Sequence, residues 1–260
     1  MNQKNNENAA IDSGLAELLG AFIGDGWIEQ SRKAFYITGH LLEDKEYYDS
    51  FLGPLFSKYF HEVKLKEFPY WHVYGIACYK KNIIQKCINY GFQTGPKALT
   101  AKIPQIFFDH SNPEISKAIL RGIFDTDGCF GCGKSRAKTS VEWKRTYHYI
   151  PEITITSCSK ALLIQVFTLL ERLGIHAKIR SKNIEGFRNN RNVNNSYALG
   201  VRRIDDVQRW FEIIGSNNPR HQTRYLVWKK YGFLPPRTNI TQRKAMLSEE
   251  LDPYSFYITK

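Results

Sequence analysis

An α+β fold of two pseudo-symmetric αββαββα repeats is predicted by three features of this sequence. Residues 18–26 (Leu-Leu-Gly-Ala-Phe-Ile-Gly-Asp-Gly) and 120–128 (Leu-Arg-Gly-Ile-Phe-Asp-Thr-Asp-Gly) are near copies, each the tail of an apolar helix that stops at Asp-Gly. The hydrophobic periodicities after each copy run in the same order. The exits also correspond, Gly91-Phe92-Gln93-Thr94-Gly95-Pro96-Lys97 in one copy and Gly215-Ser216-Asn217-Asn218-Pro219-Arg220 in the other.

In the first copy, Asp12-Ser13 caps a helix whose Leu15, Leu18, Leu19, Phe22 and Ile23 form one apolar stripe. A strand over 34–40, a helix over about 44–60, strands near 62–68 and 72–78 and a helix near 81–90 follow. In the second copy, Ser111-Asn112-Pro113-Glu114 opens the helix, with proline at its first position, and Ile115, Ala118, Ile119, Gly122 and Ile123 repeat the stripe. Strands at 151–156, 176–182 and 197–203 alternate with helices at 162–173 and 207–214. The chain thus divides into a polar arm (1–12), a first repeat (13–94), a linker holding Pro96 and Pro104 (95–112), a second repeat (113–235) and a tail after Pro235-Pro236 (236–260).

Composition narrows the partner. The 260 residues carry 37 Lys+Arg against 25 Asp+Glu, a net charge of +12, with 14% aromatics, which favours nucleic acid over a membrane. No apolar run approaches the roughly 20 residues of a membrane span, and the polar start lacks a signal-peptide core, so an intracellular, non-secreted protein is expected. Five cysteines at irregular spacing make a poor disulfide framework and are expected as free thiols.

An acid at a helix C-terminus is repelled by the negative end of the macrodipole, and a divalent cation resolves the conflict. Asp25 and Asp127, helped by the carbonyls before them, offer the hard oxygens that suit Mg²⁺. For the two acids to meet, the helices must pack closely, and Gly20 with Gly24 and Gly122 with Thr126 place small residues four apart, where backbones can touch. Lys64 and Lys66 alternate with Val63 and Leu65, and Lys178, Arg180 and Lys182 with Ala177 and Ile179, so each copy is expected to hold a strand with one apolar and one basic face. Such faces can contact phosphates and base edges in a major groove.

These motifs resemble the paired signature of the LAGLIDADG homing endonucleases in their single-chain, two-motif form, the second copy being the nearer match. The resemblance, over about residues 13–235, implies motif helices packed at a central interface and two saddle-shaped sheets on a long, weakly palindromic double-stranded DNA site. It implies that Asp25 and Asp127 hold two catalytic Mg²⁺ ions, one acid serving each strand, with the carbonyls of Gly24 and Thr126 as further ligands, Mn²⁺ substituting and Ca²⁺ binding without supporting cleavage. Lys97 and Arg220 would stabilise phosphate charge, and hydrolysis would leave short 3′ overhangs. Arg32, Lys33, Lys64, Lys66, Lys134, Arg136, Lys138, Lys178, Arg180, Lys182 and Arg202 are the DNA contacts expected of a monomer. The polar residue that many members carry at the end of the second strand has no counterpart in Gly39-His40 or Ser157-Cys158.

Two decoys fall away. Residues 128–135 satisfy the phosphate-loop pattern G-x-x-x-x-G-K-S but follow a helix instead of a strand. Cys129 and Cys132 lack a second ligand pair for zinc. Two rivals use the same scaffold: a maturase that binds its host intron RNA, and a DNA-binding regulator that does not cut.

Overall fold

The computed structural model describes residues 11–134, 147–182 and 196–257. The first repeat comprises α1 (Ser13–Asp25), β1 (Gly26–Ile28), β2 (Phe35–His40), α2 (Lys45–Tyr47), a π-helical turn (Tyr48–Leu52) leading into α3 (Gly53–Tyr59), β3 (Leu65–Phe68), β4 (Val73–Cys78) and α4 (Lys81–Asn89). A short α5 (Gln105–Phe108) precedes the second repeat: α6 (Pro113–Asp127), β5 (Gly128–Gly133), β6 (Ile150–Ser157), α7 (Lys160–Arg172), β7 (Lys178–Lys182), β8 (Ser196–Val201) and α8 (Ile204–Ile213). Helices α9 (Pro219–Tyr231) and α10 (Ile240–Leu247) and a 3-10 turn (Pro253–Tyr257) follow. Among the described residues no helix is long and apolar enough to cross a membrane.

The duplication extends to topology. The two antiparallel sheets have the orders β1-β2-β4-β3 and β5-β6-β8-β7. Gly26 pairs with Ile37 and Gly128 with Ile155, so Thr38 corresponds to Thr156, Gly39 to Ser157 and His40 to Cys158. One side of each sheet packs on the core and the other is left open. Strand β3 begins at Leu65, one residue later than Lys64 requires, so Lys64 lies in the preceding connection and Lys66 is the one basic residue of that strand, followed by Glu67.

The motif helices start from caps that their sequences supply. Asp12 accepts from the amide of Leu15 at 2.9 Å, and Asn112 from that of Glu114 at 3.0 Å. They then cross with their backbones in contact. A β-carbon on Gly20 would strike the carbonyl oxygen of Ile119, and one on Gly122 the carbonyl of Glu17 and, at 2.7 Å, the amide nitrogen of Ala21. Further along, Gly24 faces the Thr126 side chain, whose hydroxyl is turned back onto the Gly122 carbonyl at 2.9 Å. The glycine of each Asp-Gly serves a related purpose: strands β1 and β5 leave directly over the rings of Phe22 and Phe124, and a β-carbon on Gly26 or Gly128 would run into them.

Residues 95–112 are packed rather than loose, with Ala101, Ile103 and Phe107 buried. They cross onto the opposite repeat. The Gln165 amide of α7 bonds both backbone groups of Ile103, at 2.8 and 2.9 Å, and the Ser159 hydroxyl donates to the Ala101 carbonyl at 2.7 Å. The second exit crosses the other way: Asn218 donates to Asp44 of the first repeat at 2.8 Å. The tail closes the crossing, since α10 packs on α9 and its fully buried Arg243 meets Thr223 at 2.9 Å and Glu43 of the first repeat at 3.5 Å.

Gly122→Ala is expected to destabilise the protein by about 2 kcal/mol or more, as overpacking does where backbone cannot retreat. Gly131→Ala, with nothing near its new methyl, should stay within about 0.5 kcal/mol of the parent. Urea denaturation of both variants checks the contrast.

Candidate functional site

Helices α1 and α6 deliver Asp25 and Asp127 to the same end of their crossing, and Gly24 approaches so closely that a β-carbon there would lie 3.3 Å from the Asp127 carboxyl carbon. Loss of water pushes the Asp25 pKa up to about 7, with the charges of Asp127 and Asp44 adding to the effect and Arg220 and Lys97 opposing it. Asp127 reaches the surface, yet the protein around it also raises its pKa while Lys97 draws it back. Two acids held this close repel each other unless a cation lies between or beside them.

The basic residues of the two exits lie where the helices end. The Lys97 ammonium donates to the carbonyls of Ile23 and Gly24, both at 2.6 Å, and burial lowers its pKa against the pull of Asp127 and Asp25. Arg220 donates to Asp44 at 3.2 Å and to the Thr126 carbonyl at 3.4 Å. The carbonyls of Gly24 and Thr126 are therefore already engaged by Lys97 and Arg220, and a metal would share their second lone pairs. Among the described residues no group of three or more His, Cys, Asp or Glu side chains makes a ready cation cage. Two carboxylates and two carbonyls form a hard-oxygen donor set that fits an ion such as Mg²⁺, which keeps waters and takes phosphate oxygens as its remaining ligands.

Asp127 and Lys97 line one cleft of about 390 Å³ with Thr156 and Cys158, and Asp25 opens into a second of about 550 Å³ with Thr38. His40 and Ser157 are turned to local structure: the His40 ring accepts from the amides of Leu42 and Glu43 at 3.2 Å, and Ser157 from that of Ser159 at 3.1 Å. Thr38 and Thr156, at equivalent places in the two repeats, each share a cleft with an acid, and Ser157 lines the Asp127 cleft as well.

Sequence reasoning missed a buried polar network behind the acids. Arg121 of α6 holds Glu17 of α1 with two bonds, 2.6 and 2.9 Å, and donates to the Ile214 carbonyl at 2.8 Å. Asn217 adds a bond to Glu17 at 2.6 Å. Asp125, fully enclosed, accepts from the Ser216 hydroxyl and, at 2.8 Å, from the amide of Asn217; burial above all pushes its pKa up to about 8. Asp44 joins by accepting from Asn218 and Arg220 beside Asp25. The available signal was Glu17, Arg121 and Asp125 breaking otherwise apolar helices.

The open faces of the two sheets differ. In the second repeat Lys178 and Arg180 are exposed opposite Gly200 and Ala198, with Thr154 and Thr156 on the next strand and the Glu152 and Arg202 side chains lying over Gly200. Arg202 shares this region but is held by Glu152 at 2.7 Å. Lys182 ends β7 opposite Ser196, and Lys134 is exposed after β5. Arg136 and Lys138 lie outside the described residues. In the first repeat the expected basic strand face is instead aromatic, with Tyr36 in contact with Trp27, Phe68 and Tyr79, Lys66 over the Tyr79 ring, and Arg32 and Lys33 exposed in the β1–β2 turn. The alternation of Lys64 and Lys66 did not show this, because the rings come from separate parts of the repeat.

Residues 114–215 match the family model described as a LAGLIDADG-like domain. No curated protein matches the chain in sequence. Among solved structures, a complex of I-DmoI with DNA and Mn is similar at a TM-score of 0.51 and 16% identity, over 78% of this chain and 97% of that one. Mesophilic variants of the homing endonuclease I-DmoI give 0.50 and 16%, over 78% and 96%. Full-length DUF199/WhiA from Thermatoga maritima gives 0.46 and 15%, over 95% and 69%. The similarity at these identities is one of fold: the two-repeat LAGLIDADG architecture.

A carboxyl whose pKa rises on folding stabilises the protein most below about pH 4, and that contribution is lost as the pH climbs toward the folded value, here about 8 for Asp125. Asp125→Asn, which stays neutral, should therefore gain stability relative to the parent between pH 5 and pH 8, by no more than about 1.4 kcal/mol per unit. Urea midpoints at the two pH values measure this, and a constant difference would show that Asp125 does not titrate in that window.

Proposed function

We propose that this chain, with a LAGLIDADG-like second repeat inside a two-repeat LAGLIDADG fold, is a Mg²⁺-dependent, site-specific endonuclease that cuts both strands of a long double-stranded DNA site and leaves short 3′ overhangs. The observation that carries the proposal is the pair of acids at abutting helix ends, an arrangement that is electrostatically costly. One acid faces each cleft, as cutting two strands requires. A divalent ion held there supplies charge against the phosphate and lowers the pKa of a bound water. The sampling of I-DmoI with DNA and Mn supports the same combination here.

The remaining roles follow from position. Asp25 and Asp127 would hold two divalent ions, one acid serving each strand from its own helix. Lys97 and Arg220, anchored on the helix-end carbonyls, are set to balance charge building on phosphate oxygens. Asp44 fixes Arg220, and the Glu17–Arg121 pair keeps the helices in register. Lys178 and Arg180 would contact phosphates of the second half-site, with Thr154 and Thr156 reaching base edges.

Asp25→Asn and Asp127→Asn should each reduce double-strand cleavage on the order of a thousandfold while sparing DNA binding in Ca²⁺. A randomised duplex library, with cut ends captured and sequenced, supplies the substrate. A wild-type protein that binds DNA but yields no ends in Mg²⁺ or Mn²⁺ would overturn the nuclease and favour a non-cutting regulator, and preferential binding of intron RNA would favour a maturase.

Duplex affinity should also fall steeply with salt, by nearly one unit of log–log slope per phosphate contact. Replacing Lys178 and Arg180 together by Ala should lower that slope by about two. A flat salt dependence of the parent would count against duplex binding by these faces.

A further inference from the structure

The tail after Pro236 belongs to neither repeat, yet α10 reaches the surroundings of Asp25. Arg243 on this helix is fully buried. Burial lowers its pKa to about 10, so it remains a cation, and a cation is kept inside a protein only with partners. Arg243 has them on both sides of the crossing. Toward α9, its Nε donates to the Thr223 hydroxyl at 2.9 Å, and that hydroxyl donates at 2.7 Å to the Pro219 carbonyl, next to Arg220. Toward the first repeat, its guanidinium donates to the Glu43 carboxylate at 3.5 Å, next to Asp44. One residue on, Lys244 donates to both carboxylate oxygens of Glu46 at 2.8 Å. Glu43 and Glu46 flank Asp44, and α10 holds both.

Between these two holds lies the pair of Asp44 and Arg220. Asp44 is buried and accepts from the His40 amide at 2.9 Å, from Asn218 at 2.8 Å and from Arg220 at 3.2 Å. Arg220 has little else to orient it: its bond to the Thr126 carbonyl is long, at 3.4 Å, and its Nε is buried without a partner. A guanidinium tied this loosely follows its carboxylate. The pair also bears on one acid more than on the other. Asp44 and Arg220 both act on the charge of Asp25, whereas the basic residue that acts on Asp127 is Lys97.

We propose that Arg243 and Glu43 are positioning residues for cleavage: through them α10 sets Asp44 and thereby aims Arg220 at the phosphate served by Asp25. The inference rests on the proposed action on DNA and adds a third part to the site, supplied by neither repeat. It makes the two cuts unequal in what they need, because among the described residues no bond from the tail reaches Lys97.

The test uses the full chain and the duplex site recovered from the library, with the cutting of each strand followed separately. Glu43→Ala should lower kcat about 10- to 100-fold for the strand that Asp25→Asn slows most, and leave the other within about threefold, with KM and duplex affinity in Ca²⁺ unchanged. Nicked product should then accumulate. Glu43→Gln, which keeps an acceptor for Arg243, should restore most of the rate. Lys230→Ala releases the tail from α9 at the Leu247 carbonyl and Glu249, away from Asp44, and should cut as the parent does. Unchanged kcat in Glu43→Ala, equal slowing of both strands, or the same slowing in Lys230→Ala would overturn positioning. A second readout needs no cutting: hydrogen exchange at the Arg220 Nε–H, followed by ¹⁵N NMR, should quicken by about tenfold or more in Glu43→Ala and Arg243→Gln. Unchanged exchange would overturn the hold of α10 on Arg220, whereas a parent that cuts no duplex while its variants show the quickened exchange loses the nuclease and keeps that hold.

Discussion

The backbone contact between α1 and α6 is the constraint on which everything else in this molecule depends. Gly20 and Gly122 bring each helix against main-chain atoms of the other, and no pair of helices bearing β-carbons at these points could approach so far. That approach places two carboxylates at one end of the crossing and lets Arg121 reach Glu17 across it. Its consequence is electrostatic as well as steric. Two helix C-termini, two acids and a nearby third, Asp44, crowd into one region, and Lys97 and Arg220 partly neutralise the carbonyl ends.

Much of this was legible in the sequence because duplication makes weak signals count twice. A single Asp-Gly after an amphipathic stripe reads as a turn; two in matching order specify the repeat, the helix pair, the strand order and the residues that follow the last helix of each copy. The glycines at four-residue spacing announced close packing through sterics alone. The family resemblance points to Lys97 and Arg220 in the segments that follow the last helix of each repeat, and the structure puts them on equivalent carbonyls.

What escaped has a common cause: contacts between residues distant in sequence that carry no periodic mark. Asp44 looks like the start of a helix until Asn218 and Arg220 arrive from the far end of the chain. Asp125 differs from Ile23 at the same motif position, which marks an asymmetry without revealing that Ser216 and Asn217 enclose it. The tail after Pro236 offered no motif, yet Arg243 is buried between the second exit and the first repeat. Charge alternation in the second repeat described its exposed face, whereas in the first the face is composed across strands and the nearby lysines misdirect.

The crossed exits give the duplicated chain an unequal freedom to vary. Because the segment leaving each half is received by the other, Ala101 and Ile103 by Ser159 and Gln165, Asn218 by Asp44, the surroundings of each acid are jointly owned. A change on one side of the axis demands an answer from the opposite half. Among the described residues the outer sheets share no such bond. One could become aromatic while its twin stayed cationic, and the halves could part company at their rims while staying coupled at their seam.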